Sequence, residues 1–341
     1  MRSDLLKRLF HSHQQRDDRA FRLAADEIIQ EERKKQHPVV AIELERALKN
    51  GHATGNGDHT MVPYDPPPMD AERRTTLLEV RTPRRYLDDV ILSPQLKAAV
   101  DRLMVEFRAW EVLEANGIPP LRRVLFCGPS GSGKTVTAEA IAAELGLALL
   151  YVRFDAVVSS LLGETAANLR KVFEYARRGQ WVMLFDEFDA IGRSRDDPTE
   201  HGEIKRVVNS FLQILDNFDG HSLIIAATNF EESLDLAIWR RFDDVLRFDQ
   251  PGTEQLRALV KRQIGSLHHP AAVVDELVAA LSSASFADAE RVCLDVRRAC
   301  AIRGDRRIQP EDVASAVSRY VTRLSVLERV GQHEYPAVDR G

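Results

Sequence analysis

The run GPSGSGKT, Gly128 to Thr135, restricts the folds open to this chain more than any other segment, because of what flanks it. It follows an apolar stretch, Val124 to Cys127, and opens a helix-patterned one, Val136 to Leu145. A strand, a glycine-rich turn and a helix in that order converge backbone N–H groups at the positive end of a helix, which makes a seat for phosphate. Gly128, Gly131 and Gly133 supply the turn, with Pro129, Ser130 and Ser132 between them. Lys134 carries a cation to the β/γ-phosphates, Thr135 offers its hydroxyl to Mg²⁺, and Val136 begins the helix. Taken alone, the octapeptide is also compatible with a Gly/Ser-rich loop, so the rest of the chain decides.

From about Arg85 to Pro251, short β-like runs alternate with helical patterns: Val124 to Cys127, Ala148 to Val152, Val182 to Phe185, Leu223 to Ala227 and Val245 to Phe248. Alternation of this kind predicts an α/β fold, a P-loop parallel sheet with helices on both faces. Beyond Thr253 the strands stop, and amphipathic helices are predicted at Glu254 to Ser266, Val273 to Ser282, Phe286 to Ala301 and Pro310 to Leu324, a small helical lid. Residues 1–50 carry helical spacing, as in Leu5/Leu6/Leu9/Phe10 and Phe21/Ala24/Ala25/Ile28, and read as an N-terminal helical module that recruits partners. A Gly/Pro-rich linker is expected over 51–80, the large domain over 81–251, the lid over 252–325 and a tail over 326–341.

A net charge of −5 argues against wholesale nucleic-acid binding. Cys127, Cys293 and Cys300 lack metal-ligand spacing and read as buried thiols of a reducing compartment. No apolar run approaches the ~20 residues that span a bilayer, and the charged start (Arg2, Asp4, Lys7, Arg8) has no signal-peptide core. A cytoplasmic location with no membrane partner is therefore expected. His11/His13 and His268/His269 lack a third ligand, so surface histidines are favoured over a metal site.

Two further strands end in polar groups. Trp181-Val-Met-Leu-Phe runs into Asp186 and Glu187, which strand alternation sends in different directions. Asp186 is assigned to the metal and Glu187 to polarising the attacking water. Leu223 to Thr228 ends in Asn229, placed to hydrogen-bond the γ-phosphate or that water. By themselves these are also what a strand leaving the core and a turn-forming Asn look like.

Together with Trp239-Arg240-Arg241-Phe242-Asp243, these segments resemble an AAA-type (AAA+) ATPase over roughly Arg85 to Leu324. The resemblance implies ATP and Mg²⁺ as cofactors, Asn229 as first sensor, and Arg240 and Arg241 as arginine fingers acting on the neighbouring subunit's ATP. It further implies a homo-oligomer, usually a hexameric ring. Without an inserted Pro-Gly between the arginines, the pattern is similar to the katanin and ESCRT-disassembly branch. Asp89 and Val90 resemble the segment whose backbone meets adenine, and Ser285-Phe286-Ala287-Asp288 matches the lid's Ser-Gly-Ala-Asp motif, with Phe286 for Gly and Ala287 carried over. No lid arginine stands at an assignable second-sensor position, although Arg291, Arg297 and Arg298 are nearby. Leu161, Leu162 and Gly163 match the central-pore loop, with Leu161 where the family often has an aromatic.

An arginine finger is worth ~10³ to 10⁵ in rate, about 4 to 7 kcal/mol, and no other segment obviously supplies one in cis. Assembly should therefore switch activity on. The sequence reads as an ATP-hydrolysing ring motor that remodels or unfolds protein or peptide clients. No HExxH occurs, so any degradation needs a separate protease, an arrangement similar to bacterial AAA ATPases that accompany subtilisin-like peptidases. The rivals are a DNA-associated ATPase of helicase or clamp-loader type, disfavoured by net acidity, and a nucleotide-gated scaffold, disfavoured by Glu187.

Overall fold

The computed structural model describes residues 65–70, 73–158, 162–188, 201–229 and 236–334, with short helical pieces at 8, 23–25 and 27–29. The chain divides into two compact units, Met1–Asp65 and Pro66–Gly341. In the first, Ala24 and Ile28, four residues apart, are both buried, as helical spacing demands, and Arg8 pairs with Glu27 at 2.9 Å.

The second unit is built on a sheet of six strands among the described residues, β1 (Leu78–Arg81), β2 (Arg123–Cys127), β3 (Leu149–Val152), β4 (Val182–Phe185), β5 (Leu223–Thr228) and β6 (Asp244–Arg247). Their spatial order is β1-β3-β4-β5-β2-β6. β2 to β6 run parallel and fall within one residue of the five runs predicted from the sequence. β4 and β5 are buried along their whole length, which is why they read as unbroken apolar runs rather than alternating ones.

One correction concerns β1, which pairs antiparallel with β3, Glu79 opposite Tyr151 and Arg81 opposite Leu149. It lies largely inside the expected 51–80 linker, where Leu77 and Leu78 have no exposed surface and the buried Asp70 accepts a 2.7 Å bond from Asn168. The described residues of 66–80 are thus part of the packed domain. A four-residue edge strand needs few apolar groups, and the nearby prolines hide it.

The sheet separates two apolar layers. Leu125, Met183, Phe185, Ile224 and Ala226 face a layer shared with α4 (Phe154–Val158), α5 (Leu162–Ala176) and α6 (His201–Asp216). It holds the rings of Phe173, Phe185, Phe188, Phe211 and Phe218 in mutual contact. Val124, Phe126, Val182, Leu184, Ile225 and Ala227 face the other layer, under α1 (Pro94–Arg108), α2 (Trp110–Ala115) and α3 (Lys134–Leu145). Odd and even residues of each strand supply opposite layers, so both faces are covered.

After the short α7 (Leu236–Trp239), the lid comprises α8 (Thr253–Ile264), α9 (Ala271–Ala280), α10 (Phe286–Arg303) and α11 (Pro310–Glu334), around Leu256, Val260, Leu277, Val296 and Ala316. All four expected lid helices occur. α11 runs to Glu334, however, so the tail expected from 326 begins as helix. Ser325 at the end of the lid pattern is no breaker, and the charged turns that follow continue the helix without needing an apolar face.

Candidate active site

The strand–turn–helix sequence places Gly128–Thr135 between the C-terminal end of β2 and the first turn of α3. Gly128 adopts φ 141°, and a Cβ there would lie 2.0 Å from the carbonyl oxygen of Phe248, so only glycine lets the loop pass the end of β6. Gly131 adopts φ 74°, and its Cβ would meet Ser285 Oγ at 2.7 Å and Ala287 Cβ at 3.1 Å. The lid therefore touches the loop directly, and Ala287 N–H donates to Gly131 O at 3.3 Å.

Lys134 is 6% exposed. Its ammonium donates to Gly128 O at 2.6 Å, Pro129 O at 2.9 Å and Asn229 Oδ1 at 2.9 Å, which offsets the desolvation of a buried cation. Two predicted site residues, one opening α3 and one following β5, are thereby joined. Thr135 Oγ1 donates to Asp186 Oδ2 at 2.7 Å, joining the two expected metal ligands across α3 and β4. Glu187 follows at φ 52°, a left-handed conformation uncommon outside glycine, and its side chain is exposed. Asp186 thus faces Thr135, and Glu187, beyond the turn, lines the same cleft.

Loop, carboxylates and Asn229 line one cleft of ≈ 280 Å³, with Asp89 and Val90 on one side and Ala287 on the other. Ser130, Ser132 and Val136 line it too. Asp89 also closes its own 3-10 turn, Leu87–Asp89, by accepting from Tyr86 N–H at 3.1 Å, and Leu87 N–H donates to Glu144 of α3 at 3.2 Å. Ser285 caps α10, accepting from Asp288 N–H at 3.1 Å. A larger open depression of ≈ 670 Å³, lined by Trp110, Glu114, Arg177 and His221, contains none of the motif residues.

The cleft also holds groups the motifs did not flag: Arg85, Arg262, Gln263 and Glu290. Arg85 and Arg262 are arginines of the same chain that the sequence did not place at this cleft. A helical pattern gives no clue to which polar face of α8 meets the cleft. The lid arginines named from sequence do not line it: Arg297 donates to Gln263 Oε1 at 3.3 Å and Arg298 pairs with Asp295 at 3.1 Å. Phe286 lines the cleft with its ring against the lid core.

Arg240 and Arg241 are exposed and line no part of this cleft. Arg241 Nε pairs with Asp216 at 2.9 Å, whereas Arg240 has no partner among the described residues. Asp243 and Asp244 are held by Arg123 at 3.1 Å and Arg102 at 2.6 Å, so the tandem arginines are not there to neutralise them. Leu161 lies outside the described residues, and Leu162 and Gly163 form the start of α5.

The cleft fits a nucleotide polyphosphate on three counts: a loop that only glycines can form, a buried cation, and Ser132 Oγ, buried without a hydrogen-bond partner. Among the described residues no cluster of three His, Cys, Asp or Glu could cage a metal alone. The Thr135–Asp186 oxygen pair suits Mg²⁺, which takes few protein ligands and completes its shell with phosphate and water.

Residues 124–250 match the family model described as "ATPase family associated with various cellular activities (AAA)". An uncharacterised AAA family ATPase, y4kL, of Sinorhizobium fredii is 41% identical over 320 residues, 93% of this chain and 94% of that protein. The chain belongs to the AAA ATPase family. The AAA chain is also 30% identical over 283 residues to the proteasome-activating nucleotidase of Methanopyrus kandleri, covering 80% of this chain and 65% of that one. To the human ATPase family gene 2 protein homolog A it is 31% identical over 228 residues, 64% of this chain but 25% of the relative. It is thus an ATP hydrolase with an α/β nucleotide domain and a helical C-terminal region, and no helix among the described residues is long and apolar enough to cross a membrane.

Proposed function

We propose that this ATPase remodels or unfolds protein clients as a homo-oligomeric ring, a hexamer, in which Arg240 and Arg241 of one subunit complete the cleft of the next. The observation that carries this reading is Arg240: exposed, without a partner among the described residues, and outside its own cleft. A cation placed there has a use in trans that it lacks in cis. The Asp216 pair holds the backbone-adjacent Arg241 in a fixed direction, which favours Arg240 as the longer-reaching finger.

Within the cleft, Lys134 and the loop N–H groups take the β/γ-phosphates, and Ser132 Oγ finds the acceptor or donor it lacks inside the protein. Thr135 and Asp186 would hold magnesium, which supplies positive charge to the phosphate oxygens. Glu187 polarises the attacking water and Asn229, leaving Lys134, orients it. Asp89, Val90 and Ala287 border the base. The Leu161–Gly163 segment touches the client, residues 1–50 recruit it, and the relative named for activating a proteasome supports delivery to a separate protease.

Mixed rings test the assembly. Glu187→Gln subunits still offer arginines, and Arg240→Ala/Arg241→Ala subunits still offer Glu187, so mixing two inactive proteins should restore part of the ATPase rate. Demonstrably mixed rings with no recovery would remove action in trans and return Arg85 or Arg262 to consideration as the cis cation.

A further inference from the structure

Among the described residues, Glu290 is the only carboxylate that the lid presents to the nucleotide cleft. The phosphate end has no use for it, because a carboxylate beside the β/γ-phosphates would repel them. Its place on α10 sets it apart from them. The first turn of that helix meets the glycine loop, where Ala287 N–H reaches Gly131 O at 3.3 Å. Glu290 stands three residues further on, about 4.5 Å along the axis. On both lid helices an apolar group lines the cleft one turn before a polar one, Leu259 before Gln263 on α8 and Phe286 before Glu290 on α10. With Val90 on the large domain, these apolar groups suit the faces of a flat base, whose edge then meets the polar pair.

The polar pair is oriented. Arg297 donates to Gln263 Oε1 at 3.3 Å, which turns the amide so that its Nε2 donates to Glu290 Oε1 at 3.1 Å. The other carboxylate oxygen, Oε2, accepts from no group among the described residues, and neither Arg85 nor Arg262 pairs with Glu290 although both line the cleft. An ionised carboxylate accepts and cannot donate. We propose that Glu290 reads the base: its Oε2 accepts a hydrogen bond from the 6-amino group of adenine and repels the carbonyl that hypoxanthine and guanine carry at the same position. Gln263 and Arg297 hold the carboxylate at that edge.

The inference rests on the cleft being the ATP seat, so Lys134→Ala is measured beside it. Titration calorimetry on the full chain reads equilibrium affinity for ATP, for inosine triphosphate with its 6-carbonyl, for purine riboside triphosphate with hydrogen at that position, and for 2′- and 3′-deoxy-ATP. The wild type should bind ATP about tenfold or more tighter than purine riboside triphosphate, and inosine triphosphate more weakly still. Glu290→Ala should bring ATP down to about the purine riboside level while purine riboside triphosphate itself stays within about twofold. Glu290→Gln is the sharper variant, since Gln263 Nε2 holds the new amide oxygen and leaves an N–H₂ donor facing the base. Its preference for ATP over inosine triphosphate should fall about tenfold or reverse. Unchanged preferences in both variants, beside lost binding in Lys134→Ala, would overturn this inference alone. Wild-type ATP affinity in Lys134→Ala would overturn it together with the seat. Equal weakening of every triphosphate would mean damaged lid packing, and a change confined to the deoxy analogues would assign Glu290 to the ribose; either result overturns base reading.

Discussion

The two walls of the cleft are made differently. The wall on the large domain is backbone: a loop whose course is dictated by Gly128 and Gly131, braced by Phe248 and backed by two apolar layers. The lid wall is side chains on helix ends, Leu259, Arg262, Phe286 and Glu290, with one backbone bond at 3.3 Å reaching across. Chemistry that needs sub-ångström placement sits on the first wall; the second can shift on its helices without disturbing it. The difference teaches that the place of the phosphate seat is set by the chain's backbone path, from which Lys134, Thr135 and Asp186 project, while the lid wall depends on how its helices are docked.

The sharpest test removes chemistry from the rigid wall. Lys134→Ala should lose tight ATP binding, and Glu187→Gln should bind ATP but fall by ~10³ or more in turnover, as loss of a central catalytic group does. Titration calorimetry beside steady-state ATPase separates the two. If Lys134→Ala binds as wild type does, the phosphate seat is not where the loop geometry puts it.

Gly131→Ala against Gly133→Ala tests the contact between the walls. Both glycines have positive φ, 74° and 100°, so both alanines strain the backbone by about 1–2 kcal/mol. Only Gly131 would press a Cβ into Ser285 and Ala287; nothing lies within 4 Å of the Cβ built on Gly133. Gly131→Ala should weaken ATP binding by about tenfold beyond Gly133→Ala, equivalent to 1.4 kcal/mol, and speed hydrogen exchange at the start of α10. Equal behaviour of the two variants would mean that lid docking does not contribute to nucleotide affinity.

A smaller effect is expected inside the lid. Arg303 donates to both oxygens of Asp312, at 2.7 and 2.8 Å, and Asp312 also accepts from Gln309 N–H at 2.8 Å. The Asp312 side chain is 7% exposed. Arg303→Ala leaves that carboxylate buried without its charge partner and destabilises the lid locally, while amide protection in β2, β4 and β5 stays as it was. The Arg303 guanidinium holds Asp312 below the ordinary carboxylate value. The folded lid then binds fewer protons than the unfolded chain, so the contribution is complete above about pH 4. It fades as pH falls below that, and chemical-denaturation midpoints from pH 7 to pH 3 should decline more steeply in the wild type than in Arg303→Ala.

Legibility followed the same division. β2, the glycine loop, β4 with Asp186 and β5 with Asn229 were readable because buried parallel strands are uninterrupted apolar runs, and the polar residue that ends each marks the sheet edge where ligands bind. The lid helices were readable from periodicity, but their cleft-facing residues were not. Arg262 and Glu290 differ from Arg291 or Arg298 only in the direction they point, which needs the tertiary packing of α8 and α10. β1 escaped because its outward Glu79 and Arg81 and the upstream prolines look like linker. The Lys134–Asn229 bond, between residues 95 positions apart, is a product of strand order alone.

The four residues of β6 join the tandem arginines to the glycine loop. Arg241 and Asp243 precede the strand and are anchored to Asp216 and Arg123; Phe248 follows it and sits against Gly128 with no room for a methyl group. A paired strand of that length, about 13 Å, has no slack to absorb a displacement. In the ring proposed above, tension on one subunit's outer arginines would therefore reach the floor of its own phosphate seat, making the two ends of β6 one lever.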